Sequence, residues 1–243
     1  MSSQWDNFLR NLGEWRGSFD SLDGNGAVVE STPSILTLEQ GAEERLVHFR
    51  LRRFAGGDLN GEPSRDMQED YRSLGRQVVF FESGTFCKGR LQVSPGTAFG
   101  AEFGFVHGDR RHRLVQLHHD DGRFANLVLI REFRAGSNAN EWPPLDSSQL
   151  QGQWSGTAAT ITADWPEPDL EPCNFVMQLE AEADRQLTWM ADGGYHLPPG
   201  GGPPQCLCGG GWLVDGPEPT GTADSALRQQ WSLDIGHPDH RQP

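Results

Sequence analysis

The pattern Gly13-Glu14-Trp15-Arg16-Gly17 returns as Gly152-Gln153-Trp154-Ser155-Gly156, and this repetition limits the architectures open to the chain more than any other feature. In each copy the glycines let the backbone turn or approach a neighbour where a Cβ would clash, while the tryptophan supplies one large apolar plug. Such a pattern suits the first strand of a small closed barrel. Two copies in 243 residues predict two lobes with modest separate cores.

Trp5, Phe8, Leu9 and Leu12 recur at helical spacing, with Ser2 or Ser3 available as a cap and Gly13 just past the end. This predicts a short amphipathic helix that packs over one barrel end or the second lobe, or meets a partner protein. Asp23-Gly24-Asn25-Gly26 then signals a turn. Strands are expected near 34–39, 46–54, 67–73, 77–82, 85–93, 98–107, 111–119 and 123–134. With the tryptophan strand the total is close to the number that closes an up-and-down barrel around one small ligand. Gly136, Ser137, Asn138, Asn140, Pro143 and Pro144 mark a linker. The expected division is a barrel with its N-terminal helix over 1–136, a linker over 137–148 and a smaller β lobe over 149–243. In that lobe strands are expected near 153–162, 173–181, 186–190, 194–197, 205–213 and 225–234.

Alternation assigns the faces, because successive residues of a strand point to opposite sides. Val47, Phe49 and Leu51 alternate with His48, Arg50 and Arg52. Phe99, Ala101, Phe103 and Phe105 alternate with Gly100, Glu102 and Gly104, whose missing side chains suggest a bent strand or a close neighbour. Residues 77–81 are apolar on both faces, which predicts cover on both sides.

A net charge of −14 argues against a nucleic-acid backbone or an anionic membrane as the main partner. No apolar run is long enough to span a bilayer, and the start of the chain lacks a basic and apolar leader. The expectation is a cytoplasmic protein. Of the four cysteines only Cys206 and Cys208 are close in sequence, and no second pair or matching histidines complete a zinc site, so no metal is expected.

The Gly-x-Trp start after a short helix resembles the lipocalin or calycin superfamily, whose members hold apolar ligands in antiparallel barrels. More narrowly, Phe99-Gly100-Ala101-Glu102-Phe103-Gly104-Phe105, Arg113-Leu114-Val115-Gln116-Leu117 and Leu127-Val128-Leu129-Ile130-Arg131-Glu132 resemble an uncharacterised cyanobacterial and plastid family of tandem lipocalin-like proteins. The bilin lyases of the S and T types are similar in fold. The resemblance implies an all-β, antiparallel lipocalin-like (calycin) barrel with a second, smaller barrel-like lobe and a short N-terminal helix. It further implies that Arg131 stacks over Trp15, and Arg228 over Trp154, to close the barrels.

His107, His112, His118 and His119 lie beside Arg110, Arg111 and Arg113. Such a cluster either lines a pocket or forms a charged barrel exterior. In a pocket the histidines would serve as acid or base and the arginines would hold a carboxylate. The leading expectation is a small-molecule binding protein whose ligand is apolar or amphipathic, with tetrapyrrole, carotenoid or lipid as classes. Phe49, Phe103 and Phe105 would form its wall, and His112, Arg113 and His118 would orient the ligand. The alternatives are a bilin-lyase-like or isomerase-type enzyme, with Glu102, His112 and His118 as candidate catalytic groups, and a non-catalytic adaptor docking a photosynthetic complex.

Overall fold

A computed structural model describes residues 3–23, 27–75, 77–89, 96–121 and 123–141, together with the backbone of six later strands. Ser3 caps α1 (Gln4–Leu9) in a reciprocal capping box with Asp6. Gly13, at a φ of 119°, then turns the chain into β1 (Gly13–Leu22). Eight further strands follow: β2 (Val28–Gln40), β3 (Val47–Arg53), β4 (Arg65–Tyr71), β5 (Val78–Phe80), β6 (Phe86–Gly89), β7 (Phe99–His107), β8 (Arg110–His118) and β9 (Phe124–Arg134). They form one nine-stranded antiparallel sheet in the order β4-β3-β2-β1-β9-β8-β7-β6-β5. Each strand pairs with the next in sequence except β4 with β5, and β1 also pairs with β9. The sheet is a curled meander with one seam, consistent with a calycin-like barrel.

The register shows which residues face the lumen. Trp15 pairs with Leu36 and Arg134, Leu36 with Leu51, and Gly17 with Ser34 and Glu132. Buried Trp15, Leu36, Leu38, Val47 and Leu51 gather with Phe80 and Phe86 from the far edge, so this face is concave. Helix α1 closes the seam. The Phe8 ring lies 5.8 Å from Tyr71 on β4 and 5.2 Å from Phe80 on β5. Gln4 donates to the Phe80 carbonyl at 2.9 Å and accepts from its N–H at 2.7 Å, the pair of bonds a neighbouring strand would make. Asn7 and Asn11 donate to the carbonyls of Phe80 and Gly84.

The first motif is explained by its neighbours. A Cβ on Gly17 would fall 1.7 Å from the Arg131 carbonyl oxygen, so β1 approaches β9 as only glycine permits. Gly104 answers the expected bent strand differently, since the Phe86 ring occupies the place its side chain would take. The 77–81 run is less enclosed than expected: Phe80 is buried, while Val78 and Val79 are half-buried.

A second compact unit contains the later strands. Strands β10 (Gly152–Ala158), β11 (Cys173–Glu182) and β12 (Gln186–Asp192) form one sheet. Strands β13 (Gln205–Cys206), β14 (Gly211–Val214) and β15 (Trp231–Asp234) form another. The second motif opens β10 as the first opens β1, with Trp154 paired to Met177. The expected linker beyond Glu141, the strand near 194–197 and Arg228 lie outside the described residues. Among the described residues no helix is long and apolar enough to cross a membrane.

Candidate functional site

The lumen is more polar than the apolar wall expected from the sequence. Arg111 and Arg113 on β8 share a face with Glu132 and Arg134 on β9, because Arg111 pairs with Glu132 and Arg113 with Ile130. Both arginines reach Glu132. Arg111 Nε donates to Oε2 at 2.8 Å, and Arg113 spans the carboxylate with Nε to Oε2 at 3.0 Å and Nη2 to Oε1 at 2.9 Å. Arg113 Nη1 also donates to Glu102 on β7 at 2.7 Å. Glu132 is fully buried and Arg111 nearly so.

Burial alone raises the pKa of Glu132, but Arg111 and Arg113 outweigh it and hold the carboxyl below its ordinary value. For Arg113, burial is outweighed by Glu132 and Glu102, and the pKa is raised. For Arg111, burial prevails over Glu132 and lowers it. On the wall formed by β4, Tyr71 donates to Glu69 at 2.9 Å, and burial, that bond and the field of Glu102 raise its pKa.

Trp15 anchors the closed end. Its indole N–H donates to the Asn11 carbonyl at 2.9 Å, and the guanidiniums of Arg111 and Arg134 lie 4.4 and 4.3 Å from its ring centre. Arg131, expected in that place, lies on the opposite face and pairs with buried Asp20 at 2.6 Å. The register sets Arg134, not Arg131, opposite Trp15. Trp154 lies on a strand whose side chains are outside the described set.

Only part of the expected pocket comes together. Phe49, Arg113 and Glu102 face the lumen. Phe103, Phe105, His112 and His118 face the other way, because Phe103 pairs with Leu114, Phe105 with His112, and Phe99 with His118. His118 stacks on Phe99 there, ring centres 4.5 Å apart. The alternation was legible, but β7 to β9 carry apolar residues on both faces, so parity alone could not choose the inner one. Glu132 and Arg134 were missed for that reason, while Arg111 entered only as a member of the histidine and arginine cluster. Their available signal was the Arg-x-Arg spacing, which puts Arg111 and Arg113 on one face, and the shared parity of Val128, Ile130, Glu132 and Arg134.

By register, the cations Arg53, Arg65, Lys88, Arg111, Arg113 and Arg134 face the lumen against the carboxylates Glu69, Glu102 and Glu132. The excess is positive in a chain of net charge −14. At β4 the inward positions Met67 and Glu69 are exposed, so the lumen meets solvent along that wall. On the outer face a polar hollow of about 330 Å³ lies among Glu14, Thr37, Glu39, His48, Arg50 and Asp70. Its charges satisfy one another or their neighbours: His48 Nδ1 lies 2.6 Å from Asp70, and Arg50 Nη2 lies 2.7 Å from Asp66. Among the described residues no three His, Cys, Asp or Glu side chains gather closely enough to hold a metal ion.

Residues 1–137 match the N-terminal domain of unknown function DUF3598. The chain belongs to the DUF3598 family. A crystal structure of a DUF3598 protein of unknown function from Nostoc punctiforme is similar at 30% identity and a TM-score of 0.73, over 95% of this chain and 84% of that one. An S-type phycobiliprotein lyase from Guillardia theta is distantly similar, at 18% identity and a TM-score of 0.37, over 56% of this chain and 95% of the lyase. No curated protein matches the chain. The family resemblance read from residues 99–132 is therefore correct, and the lumen just described belongs to the part of the DUF3598 chain that the family's N-terminal domain covers.

Proposed function

We propose that this DUF3598 protein binds an amphipathic small molecule in the lumen of its first barrel. The observation that carries this reading is the lumen face itself: an aromatic and aliphatic wall set beside an excess of arginine, inside a strongly acidic chain. A face that only stabilised the fold would be better filled with apolar groups, since buried charge clusters contribute little net stability. A ligand with conjugated or aliphatic bulk and an acid group matches both halves, and an open-chain tetrapyrrole, with ring bulk and propionates, is the first class to test. In this reading residues 149–243 are a second, smaller lobe, and the repeated tryptophan motif supports a tandem arrangement.

A catalytic role would draw on Glu102, which alone among the three acid-base candidates faces the lumen. The deciding experiment is native mass spectrometry with an absorption spectrum on protein purified from a pigment-producing photosynthetic host. The expected result is an adduct mass, with visible absorbance if the ligand is a pigment. A bare mass that also fails to shift with added bilins, carotenoids or fatty acids would overturn the binding reading in favour of an adaptor.

A further inference from the structure

Gly17, Ser34, Arg53 and Arg65 form one row across β1, β2, β3 and β4, each the direct register partner of the next on the lumen face. Three features of this row are costly to an isolated protein. The Ser34 side chain is wholly buried, yet its hydroxyl has no hydrogen-bond partner among the described residues. The Arg53 Nε is likewise buried without a partner, and no described carboxylate forms an ion pair with this guanidinium. Arg53 and Arg65 are like charges set directly opposite on neighbouring strands, a pairing that destabilises a sheet. Arg111 and Arg113 differ from half-buried Arg53 in sharing the Glu132 carboxylate, although Arg111 Nη2 is also buried without a hydrogen-bond partner. The Arg53 guanidinium instead lies 4.5 Å from the Phe19 ring centre, and Gly17, held against the Arg131 carbonyl, offers Ser34 no side-chain partner.

Resting on the lumen-binding reading, we propose that Arg53 and Ser34, with Arg65 at the rim, form the subsite for the ligand's carboxylate. A carboxylate accepts from the guanidinium fork and from a hydroxyl at once, supplies the missing partner of each, and separates the two like charges. Leu36 and Leu51, the next inward positions on β2 and β3, set an apolar surface between this row and Trp15 against which the body of the ligand would pack. The geometry therefore fits an acid group at the open end with bulk pointing inward. A fatty acid and a tetrapyrrole propionate present the same group, and the test separates them.

Binding is to be measured by tryptophan quenching and calorimetry with two matched pairs, oleate against oleyl alcohol and biliverdin against its dimethyl ester. In at least one pair the acid is expected to bind about tenfold or more tightly than its neutral partner, as a hydrogen-bonded charge requires. The pair showing this preference identifies the source of the carboxylate. Arg53→Gln is expected to bring the preference close to one, Arg53→Lys to retain part of it, and Ser34→Ala to weaken acid binding several-fold. Arg53→Gln is also expected to melt little or no lower than the parent, because it removes a cation that has the Phe19 ring but no carboxylate beside it. Equal binding of acid and neutral forms, a preference that survives Arg53→Gln, or a marked fall in its melting temperature would each overturn the subsite. If neither member of either pair binds the parent protein, the lumen reading fails first and the subsite with it.

Discussion

At the scale of single residues, Glu132 is the group on which the lumen turns. It is fully buried and accepts from Arg111 and from Arg113, so replacing it leaves two guanidiniums without the carboxylate they share. Glu132→Gln is expected to cost about 3–5 kcal/mol in urea unfolding, the usual loss when one member of a buried ion cluster is removed. Arg50→Met, which breaks an exposed pair with Asp66, is expected to leave the midpoint unmoved. The same carboxylate sets the acid limb. Its pKa in the folded chain lies below the ordinary 4.5, so its contribution is complete above that value and disappears as pH falls through the depressed one. The parent should therefore lose stability more steeply on acidification below about pH 4.5 than Glu132→Gln does, as urea midpoints from pH 6 to pH 3 would show.

At the scale of elements, the six residues of α1 do what a tenth strand would otherwise do. Gln4 satisfies both backbone groups of Phe80, and Phe8 bridges the rings on the two edges of the sheet. Such a short helix has little stability of its own, so its conformation depends on these contacts and on the Ser3 and Asp6 box. Phe8→Ala is expected to cost about 3–5 kcal/mol, the range for a buried aromatic truncation. Gln4→Ala should act locally: amide exchange at Phe80 rises while amides in β1 and β9 keep their protection. Uniform loss of protection would mean that the helix holds the whole barrel and not its seam.

At the scale of the molecule, a chain of net charge −14 carries in its first unit a lumen face with more arginine and lysine than carboxylate. The two act over different distances. An approaching anion first meets the repulsive field of the whole surface, which salt screens, and only within a few ångströms meets the arginines, which salt screens less. Raising the ionic strength from about 0.01 to 0.15 M is therefore expected to increase the association rate of an anionic ligand several-fold in stopped-flow mixing. A rate that falls with salt would mean that the mouth of the barrel steers the anion despite the net charge.

The sequence alone determined the all-β class, the short helix and the places of nine strands before the linker, because turn residues, helical spacing and alternation are local properties of the chain; the family came from the resemblance of its segments between residues 99 and 132. It located Trp15 and its flanking glycines without showing that Gly17 is required by the carbonyl of Arg131. Only the tertiary structure decided which face of β7, β8 and β9 turns inward. Period-two alternation is symmetric where both faces carry apolar groups, and the choice passes to register, which set Arg134 and not Arg131 over Trp15 and turned Phe103, Phe105, His112 and His118 away from the lumen.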